Sequence, residues 1–240
     1  MTIADNLRRV RERIALAAES AGRGAEDIKL VGVTKYVGPR EAAELVAAGC
    51  IDLGESRPQE LWSKAAALEV DIKRARVFIP SVVRWHLVGH LQRNKVRRTL
   101  PLVSLIHSVD SERLLAAISE ERAATDDYPP PASVLLEVNT SGEPAKHGLA
   151  PDAVEPLLAA APRYAHVAIC GLMTMAALEG GPDAAARNFA TLRELRDRLI
   201  PNAPDGVRLD ELSMGMSGDF EVAIREGATI VRIGSLLWEM

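Results

Sequence analysis

Short apolar runs alternate with longer amphipathic stretches along most of this chain. Brief runs rich in β-branched residues and bounded by glycine or polar residues are typical of buried β-strands. We predict eight strands: Leu30–Thr34, Ile51–Leu53, Trp85–Val88, Leu105–Ile106, Val134–Val138, Val167–Met173, Glu211–Ser213 and Ile230–Ile233.

Apolar residues three or four positions apart predict helices between these strands. The clearest covers Ala184–Leu199, and the others cover Arg40–Ala48, Leu61–Leu68, Ser111–Ala123, Asp152–Ala160 and Phe220–Glu226. An additional amphipathic helix opens the chain, where Thr2 and Asp5 have the spacing of a capping box.

Strands that alternate with helices are typical of parallel βα units, and eight such units can close into a barrel. We therefore predict an α/β fold, a single (β/α)8 TIM barrel with an extra N-terminal helix, in which residues 1–240 form one domain. An open doubly wound sheet is the alternative, but the turn after the first strand, Lys35–Pro39, lacks the Gly-rich pattern of that fold. Two stretches fit this pattern poorly: Glu69–Arg84 is either an extra strand or an exposed loop, and Thr125–Pro131 is predicted to be a surface connection.

Composition narrows the class of protein. Of 240 residues, 48% are hydrophobic and 26% are charged, which is typical of a soluble protein with a sizeable core. The net charge of −4 argues against nucleic acid as a partner. The chain has neither an export signal nor an apolar segment that could span a membrane, so we expect a cytoplasmic protein. Cys50 and Cys170 lie in apolar stretches and are predicted to pack in the core.

Small and hydroxyl residues cluster at the ends of the last two predicted strands, at Ser213, Gly215, Ser217, Gly234 and Ser235. Small residues let backbone amides approach a ligand, hydroxyls add donors, and a helix is predicted to open close by. In a barrel, phosphate commonly binds after the seventh and eighth strands. The cluster therefore predicts a phosphate site, unless these are simply turns.

Lys35 ends the first predicted strand, which would neighbour the eighth in a closed barrel. Desolvation there would lower the pKa of this lysine and make its neutral amine available for a Schiff base. A snorkelling surface lysine is the alternative. Arg232, on the eighth strand, needs a partner if buried, either an acid such as Glu55 or Glu137 or a heteroatom of a bound ring.

Two other groups of residues carry weaker signals. His86 and His90 have the spacing of metal ligands on a helix, but a strand is predicted there and would separate them, so no metal site is expected. The basic run from Arg93 to Arg98 lacks interleaved aromatic residues, and we interpret it as a solvated helix face.

Taken together, the sequence motifs resemble those of the pyridoxal 5′-phosphate (PLP) homeostasis protein family, the YggS-like proteins. The motifs in the first half are VGVTK at Val31–Lys35, LGESRPQEL at Leu53–Leu61, WHLVGHLQRNK at Trp85–Lys95 and IHSVDS at Ile106–Ser111. Those in the second half are VNTSGEPAKHG at Val138–Gly148, GLMTM at Gly171–Met175, LSMGMSGDFEVAI at Leu212–Ile224 and VRIGS at Val231–Ser235. The resemblance therefore runs nearly end to end.

This resemblance implies a barrel like the N-terminal domain of alanine racemase. It also implies that PLP forms a Schiff base with Lys35 and that Arg232 faces its pyridine nitrogen. The phosphate would lie against Ser217, Gly234 and Ser235, beside the turn that contains Ser213, Gly215 and Met216. One position departs from the family pattern, because Ser56 stands where the family usually has an asparagine near the cofactor. Pro58 also departs from it and removes a backbone donor.

Three functions are compatible with these residues. The first is a non-catalytic protein that buffers or delivers PLP, with apo-enzymes as possible recipients, acting as a monomer or weak homodimer. An arginine at the ring nitrogen, and no second domain within the sequence to cover the cofactor, favour this function. The second is a PLP-dependent amino-acid racemase, which needs a base opposite Lys35; strand alternation predicts that Tyr36 points away. The third is a Schiff-base aldolase acting on sugar phosphates.

Overall fold

The computed structural model describes residues 2–74, 83–125 and 130–239, with side chains left out for 71–74. All eight predicted strands are present. They are β1 (Lys29–Val33), β2 (Asp52–Glu55), β3 (Arg84–Leu87), β4 (Val103–Val109), β5 (Ala132–Glu137), β6 (Val167–Met173), β7 (Glu211–Ser213) and β8 (Ile230–Ile233).

The strands form a closed parallel barrel in the order β1 to β8. Closure depends on β8 pairing with β1, with Lys29 opposite Ile230 and Gly32 opposite Ile233. This arrangement confirms the predicted (β/α)8 barrel and excludes the open sheet. It also makes the ends of the first and last strands neighbours at the C-terminal mouth of the barrel.

Helices surround the barrel. They are α1 (Ile3–Ser20), α2 (Pro39–Ala47), α3 (Pro58–Arg74), α4 (Val96–Thr99), α5 (Glu112–Ala123), α6 (Pro151–Ala160), α7 (Gly181–Leu199), α8 (Phe220–Arg225) and α9 (Ser235–Trp238). The predicted capping box opens α1, where the Asp5 amide donates to Thr2 and the Thr2 amide donates to Asp5. Within the described residues, every helix is too short or too polar to be a membrane span.

The core has two parts. A large apolar cluster fills the space between the barrel and its helices, and a smaller one inside the barrel includes Val31, Leu135 and Ile230. Cys50 and Cys170 are both buried, as predicted, and burial raises the pKa of the Cys50 thiol to about 11.

Four strands differ from their predicted bounds by one or two residues, and β4 differs by more. β4 runs from Val103 to Val109, well beyond the predicted Leu105–Ile106, because the buried polar residues His107 and Ser108 interrupt its apolar pattern. Within the segment 69–84, α3 continues to Arg74 and β3 begins at Arg84, while residues 75–82 lie outside the described chain. The predicted surface connection at 125–131 also falls mostly outside it, at residues 126–129.

Candidate functional site

A cavity of about 410 Å³ opens at the C-terminal mouth of the barrel. Seven of the nine predicted cofactor-binding residues line it: Lys35, Ser56, Met216, Ser217, Arg232, Gly234 and Ser235. The pairing of β8 with β1 brings Lys35 and the glycine- and serine-rich turns to one cavity, although they lie near opposite ends of the sequence.

Lys35 lies in the turn just beyond the end of β1. Its side chain is exposed, which agrees with the alternative of a surface lysine and not with a desolvated one. The amine lies 4.8 Å from the centre of the Tyr36 ring. Tyr36 also lines the cavity, and the prediction that it points away is wrong, because β1 ends at Val33 and strand alternation does not extend into the turn.

The rim of the cavity next to the end of β1 is built from the turns after β7 and β8. The Ser217 hydroxyl accepts a hydrogen bond from the Gly234 amide at 3.1 Å, which joins the two turns. Asp219 accepts from the Met216 amide at 2.6 Å, and Ser235 begins α9. These bonds fix the two turns and bring Ser217 and Ser235 to the cavity surface, where their hydroxyls suit an anion.

Two predicted residues shape the site without lining the cavity. Gly215 has a φ of 91°, and a Cβ there would lie 2.6 Å from that of Ala223, so only glycine fits this turn. The Ser213 side chain is fully buried inside the barrel, where it is hydrogen-bonded to Arg232 and His107. The expectation that its hydroxyl faces a phosphate is therefore wrong.

Arg232 forms the floor of the cavity. One guanidinium nitrogen donates to the Ser213 carbonyl at 2.8 Å and to its hydroxyl at 2.7 Å, and the other donates to the Thr174 carbonyl at 3.0 Å. Burial lowers its pKa to about 10 against the opposing charges of Asp219 and Glu137, so the side chain is cationic at neutral pH. Neither acid predicted as its partner is hydrogen-bonded to it.

A chain of buried hydrogen bonds continues from Arg232 through the barrel interior. Ser213 Oγ lies 2.8 Å from His107 Nδ1, and His107 Nε2 lies 2.9 Å from His86 Nδ1. His86 Nε2 lies 3.0 Å from Asp52 Oδ1, at the opposite end of the barrel. Arginine can only donate, so the Ser213 hydroxyl accepts from Arg232 and its own hydrogen can be donated to His107. His107 can then donate to His86, and His86 to Asp52.

Both ends of this chain carry charge, and the environment of His107 between them favours its neutral form. Burial, His86 and the charge of Arg232 hold the pKa of His107 well below its usual value. Burial opposes ionisation of Asp52, yet hydrogen bonds from His86 and Arg84 lower its pKa to about 2. Sequence reasoning missed this chain, because its members are far apart in sequence and only the strand register brings them together.

A buried ion pair lies next to the strand end that carries Lys35. Lys64 Nζ lies 2.6 Å from Glu55 Oε2, and it donates to the Thr34 carbonyl at 2.6 Å. Both charged side chains are almost completely buried. The prediction of Glu55 as a partner for Arg232 is therefore wrong, because Glu55 is paired with Lys64 instead.

The two departures from the family pattern lie beside the cavity. Ser56 lines it, and its amide donates to Glu55 Oε1 at 2.8 Å. Pro58 is the first residue of α3, a position where the amide has no intrahelical partner, so the missing donor costs this helix no hydrogen bond.

The remaining histidines of the mouth belong to a different group from His86. His90 is exposed and contacts Asp110 and His147, whereas His86 is buried inside the barrel. His86 and His90 are therefore not directed at a common position. Glu137, at the end of β5, lines the cavity close by. Burial and the nearby charge of Asp110 raise the pKa of Glu137.

Known proteins with the same architecture identify the family. The family model described as "Alanine racemase, N-terminal domain" matches residues 3–239. The pyridoxal phosphate homeostasis protein of Aquifex aeolicus is 41% identical over 239 residues, covering 99% of this chain and 98% of the relative. The chain belongs to the pyridoxal phosphate homeostasis protein family.

Solved structures agree with this membership of the homeostasis protein family. A protein of unknown function from Bifidobacterium adolescentis has a TM-score of 0.89 at 38% identity, over 98% of this chain and 94% of that one. PipY from Synechococcus elongatus, solved with PLP bound, has a TM-score of 0.83 at 31% identity, over 99% of this chain and 100% of that one.

Proposed function

We propose that this protein binds PLP at the barrel mouth, covalently through Lys35, and acts in intracellular PLP homeostasis as a carrier rather than as an enzyme. The observation that carries the proposal is the convergence of Lys35 and the Ser217–Gly234 turns on one cavity. The names of its relatives and the PLP-bound structure of PipY support the same ligand.

The residues present fit the cofactor. Bound here, PLP supplies an aldehyde carbon open to reversible attack by a primary amine, and an electron-withdrawing ring. Lys35 offers the amine. The turns after β7 and β8 offer hydroxyls and amides for the phosphate, with Ser217 and Ser235 on the cavity surface. Arg232 offers a cation at the cavity floor, where it would face the ring nitrogen.

The burial and positive charge of Arg232 favour a PLP carrier over a PLP-dependent enzyme. Its guanidinium is buried, held by three hydrogen bonds, and cationic at neutral pH. A fixed positive charge disfavours a second one on the ring nitrogen, which weakens the electron sink that catalysis with this cofactor needs. The exposure of Lys35 keeps the amine open to solvent, which suits release and exchange of the cofactor.

The proposal is tested by the absorbance of the loaded protein and by borohydride reduction followed by peptide mapping. We expect a visible band, and the pyridoxyl group fixed on Lys35. Lys35→Ala should abolish both. Lys29→Ala is the matched control, because Lys29 begins the same strand at the other end of the barrel and should leave both unchanged. A band that survives in the Lys35→Ala variant after dialysis would overturn the assignment, and a colourless protein would favour a sugar-phosphate aldolase.

An amino-acid racemase is the second candidate, because Tyr36 lines the cavity. The phenol stacks beside the Lys35 amine, however, whereas racemization needs a base on the opposite face. Exchange of the α-proton of alanine in deuterated water, followed by NMR, separates the two functions. We expect no exchange above the rate of free PLP. Exchange that disappears in Tyr36→Phe would establish the racemase instead.

Delivery is a further part of the proposal. PLP-dependent apo-enzymes are the expected recipients, and the protein is expected to act as a monomer or weak homodimer in the cytoplasm. Activation of a purified apo-enzyme by the loaded protein, compared with an equal amount of free PLP, measures delivery. No faster activation than with free PLP would limit the role to storage.

A further inference from the structure

A cluster of two histidines and an aspartate lies at the barrel mouth, where His90 and His147 line the same cavity as Lys35. His90 follows β3, Asp110 follows β4, and His147 lies in the loop after β5. In the closed barrel, these three strands are two, three and four positions from β1, so only the loop with His147 follows the strand opposite β1. The proposed PLP contacts at Lys35 and in the turns after β7 and β8 include none of its members.

We propose that His90, Asp110 and His147 bind a divalent transition-metal ion of the zinc class. One ligand atom from each side chain lies within 4.8 Å of the other two. Ligand atoms around a tetrahedral zinc ion are about 3.3 Å apart, given bonds of about 2.0–2.1 Å. The farthest pair must therefore approach by about 1.5 Å, which rotation of the two exposed histidine side chains can supply.

The present contacts leave donor atoms free for a metal. His90 Nδ1 lies 3.2 Å from Asp110 Oδ2, so the other ring nitrogen of His90 remains available. The His90 and His147 rings are stacked with centroids 4.9 Å apart and planes 19° from parallel. Two imidazoles and a carboxylate form the three-ligand set that binds zinc in catalytic sites, with a fourth position open to water.

The loop that carries His147 is held firmly against the barrel. The Leu149 amide donates to the Glu137 carbonyl at 2.7 Å, and the Asn139 amide donates back to the Leu149 carbonyl at 2.9 Å. Lys146 Nζ donates to the Ala176 carbonyl at 2.6 Å. These bonds fix the backbone beside His147, so little conformational entropy remains to be lost when a metal binds.

Glu137 adds a carboxyl group beside this cluster. Its side chain is only 4% exposed, lines the cavity and lies near Asp110 and His147. A divalent ion held by Asp110 and His147 would therefore also be attracted by the Glu137 carboxylate.

The donor set selects the class of metal. Imidazole suits zinc, copper and nickel, whereas magnesium and calcium prefer sites made entirely of oxygen ligands. A site with two imidazoles and one carboxylate therefore favours zinc-class ions over magnesium or calcium, and the experiment uses zinc and cobalt as probes.

Titration of the untagged, PLP-free protein with zinc chloride, followed by calorimetry, tests the site. We expect one equivalent to bind, with cobalt giving a visible absorption band typical of tetrahedral coordination. His90→Asn and His147→Asn should each weaken zinc binding at least tenfold. His166→Asn is the matched control, because His166 precedes β6 at the other end of the barrel, and it should bind as the wild type does.

Two results would overturn the proposal: no saturable binding of one equivalent, or equal weakening by His166→Asn and His147→Asn. Zinc binding by the Lys35→Ala variant separates the test of the metal site from the test of PLP binding. Zinc binding should persist in that variant although PLP is lost, so failure of either proposal leaves the other measurable. Circular dichroism of each variant excludes loss of the fold as the reason for weak binding.

Discussion

The buried state of His107 predicts how the stability of this protein depends on pH. His107 is fully buried, and its neighbours disfavour its protonated form, so its folded-state pKa lies well below the usual value. In the unfolded chain the same group titrates near pH 6.5. Between these two pKa values a proton binds the unfolded chain but not the folded one. The contribution of His107 to the free energy of unfolding is therefore fully present above about pH 6.5 and decreases as the pH falls below that value.

The size of this pH dependence is set by the one proton that the unfolded chain binds at His107 and the folded chain does not. The free energy of unfolding should decrease by about 1.4 kcal/mol per pH unit below pH 6.5, or by about 1.4 kcal/mol between pH 7.5 and 5.5. Equilibrium urea unfolding over this pH range measures it. The contribution is isolated with His107→Gln, which removes the titrating group, and with His166→Gln as a control on a partly exposed histidine.

The His107→Gln variant should be less stable at pH 7.5, because it disrupts the buried chain, yet its stability should fall less steeply on acidification. The difference in slope from the wild type should approach one proton, whereas His166→Gln should keep most of the wild-type slope. Equal slopes for the wild type and His107→Gln would refute the reasoning, because they would mean that His107 binds a proton equally in the folded and unfolded states.

Three further changes test the packing and the buried polar contacts, each by urea unfolding. Gly171→Ala should cost about 3 kcal/mol or more, since its Cβ would lie 1.9 Å from a carbonyl oxygen of β7; Gly218→Ala, where the space is open, is the control, and equal losses would contradict this account. Ser213→Ala should cost about 1–3 kcal/mol by leaving buried polar groups unpaired, and a neutral result would show that water replaces the hydroxyl. Lys64→Met should cost about 3–5 kcal/mol by leaving the buried Glu55 charge unpaired, and adding Glu55→Gln should restore part of it; no recovery would mean that the loss has another cause.

The alternation of strands and helices was sufficient to predict the barrel, because each βα unit has a local signature. The closure of the barrel between the eighth and first strands then predicted that Lys35 and the turns after β7 and β8 lie together, and the family motifs implied the same. These predictions depend on residues that are close in sequence or on strand order, and both are visible without a structure. Strand bounds were least accurate in β4, where buried polar side chains break the apolar pattern.

Contacts that depend on strand register could not be predicted. Nothing in the local sequence indicates that His107 meets Ser213, or that Lys64 reaches Glu55, because each contact joins different elements. The same limit explains the wrong expectation for Ser213, whose hydroxyl lies in a motif typical of phosphate binding but points into the barrel. The orientation of Tyr36 was missed because the strand ended earlier than predicted.

The two ends of the chain are fastened together beside the cavity, and this has a consequence for folding. Trp238 donates from its indole to the Val33 carbonyl at 3.0 Å, and Asn6 donates to the carbonyls of Leu237 and Glu239. Contacts between such distant parts of a chain form late and slow the search for the native state. During synthesis, a nascent chain that already displays Lys35 lacks the segment that completes its pocket. The pocket should therefore form only after β8 and α9 have been synthesised.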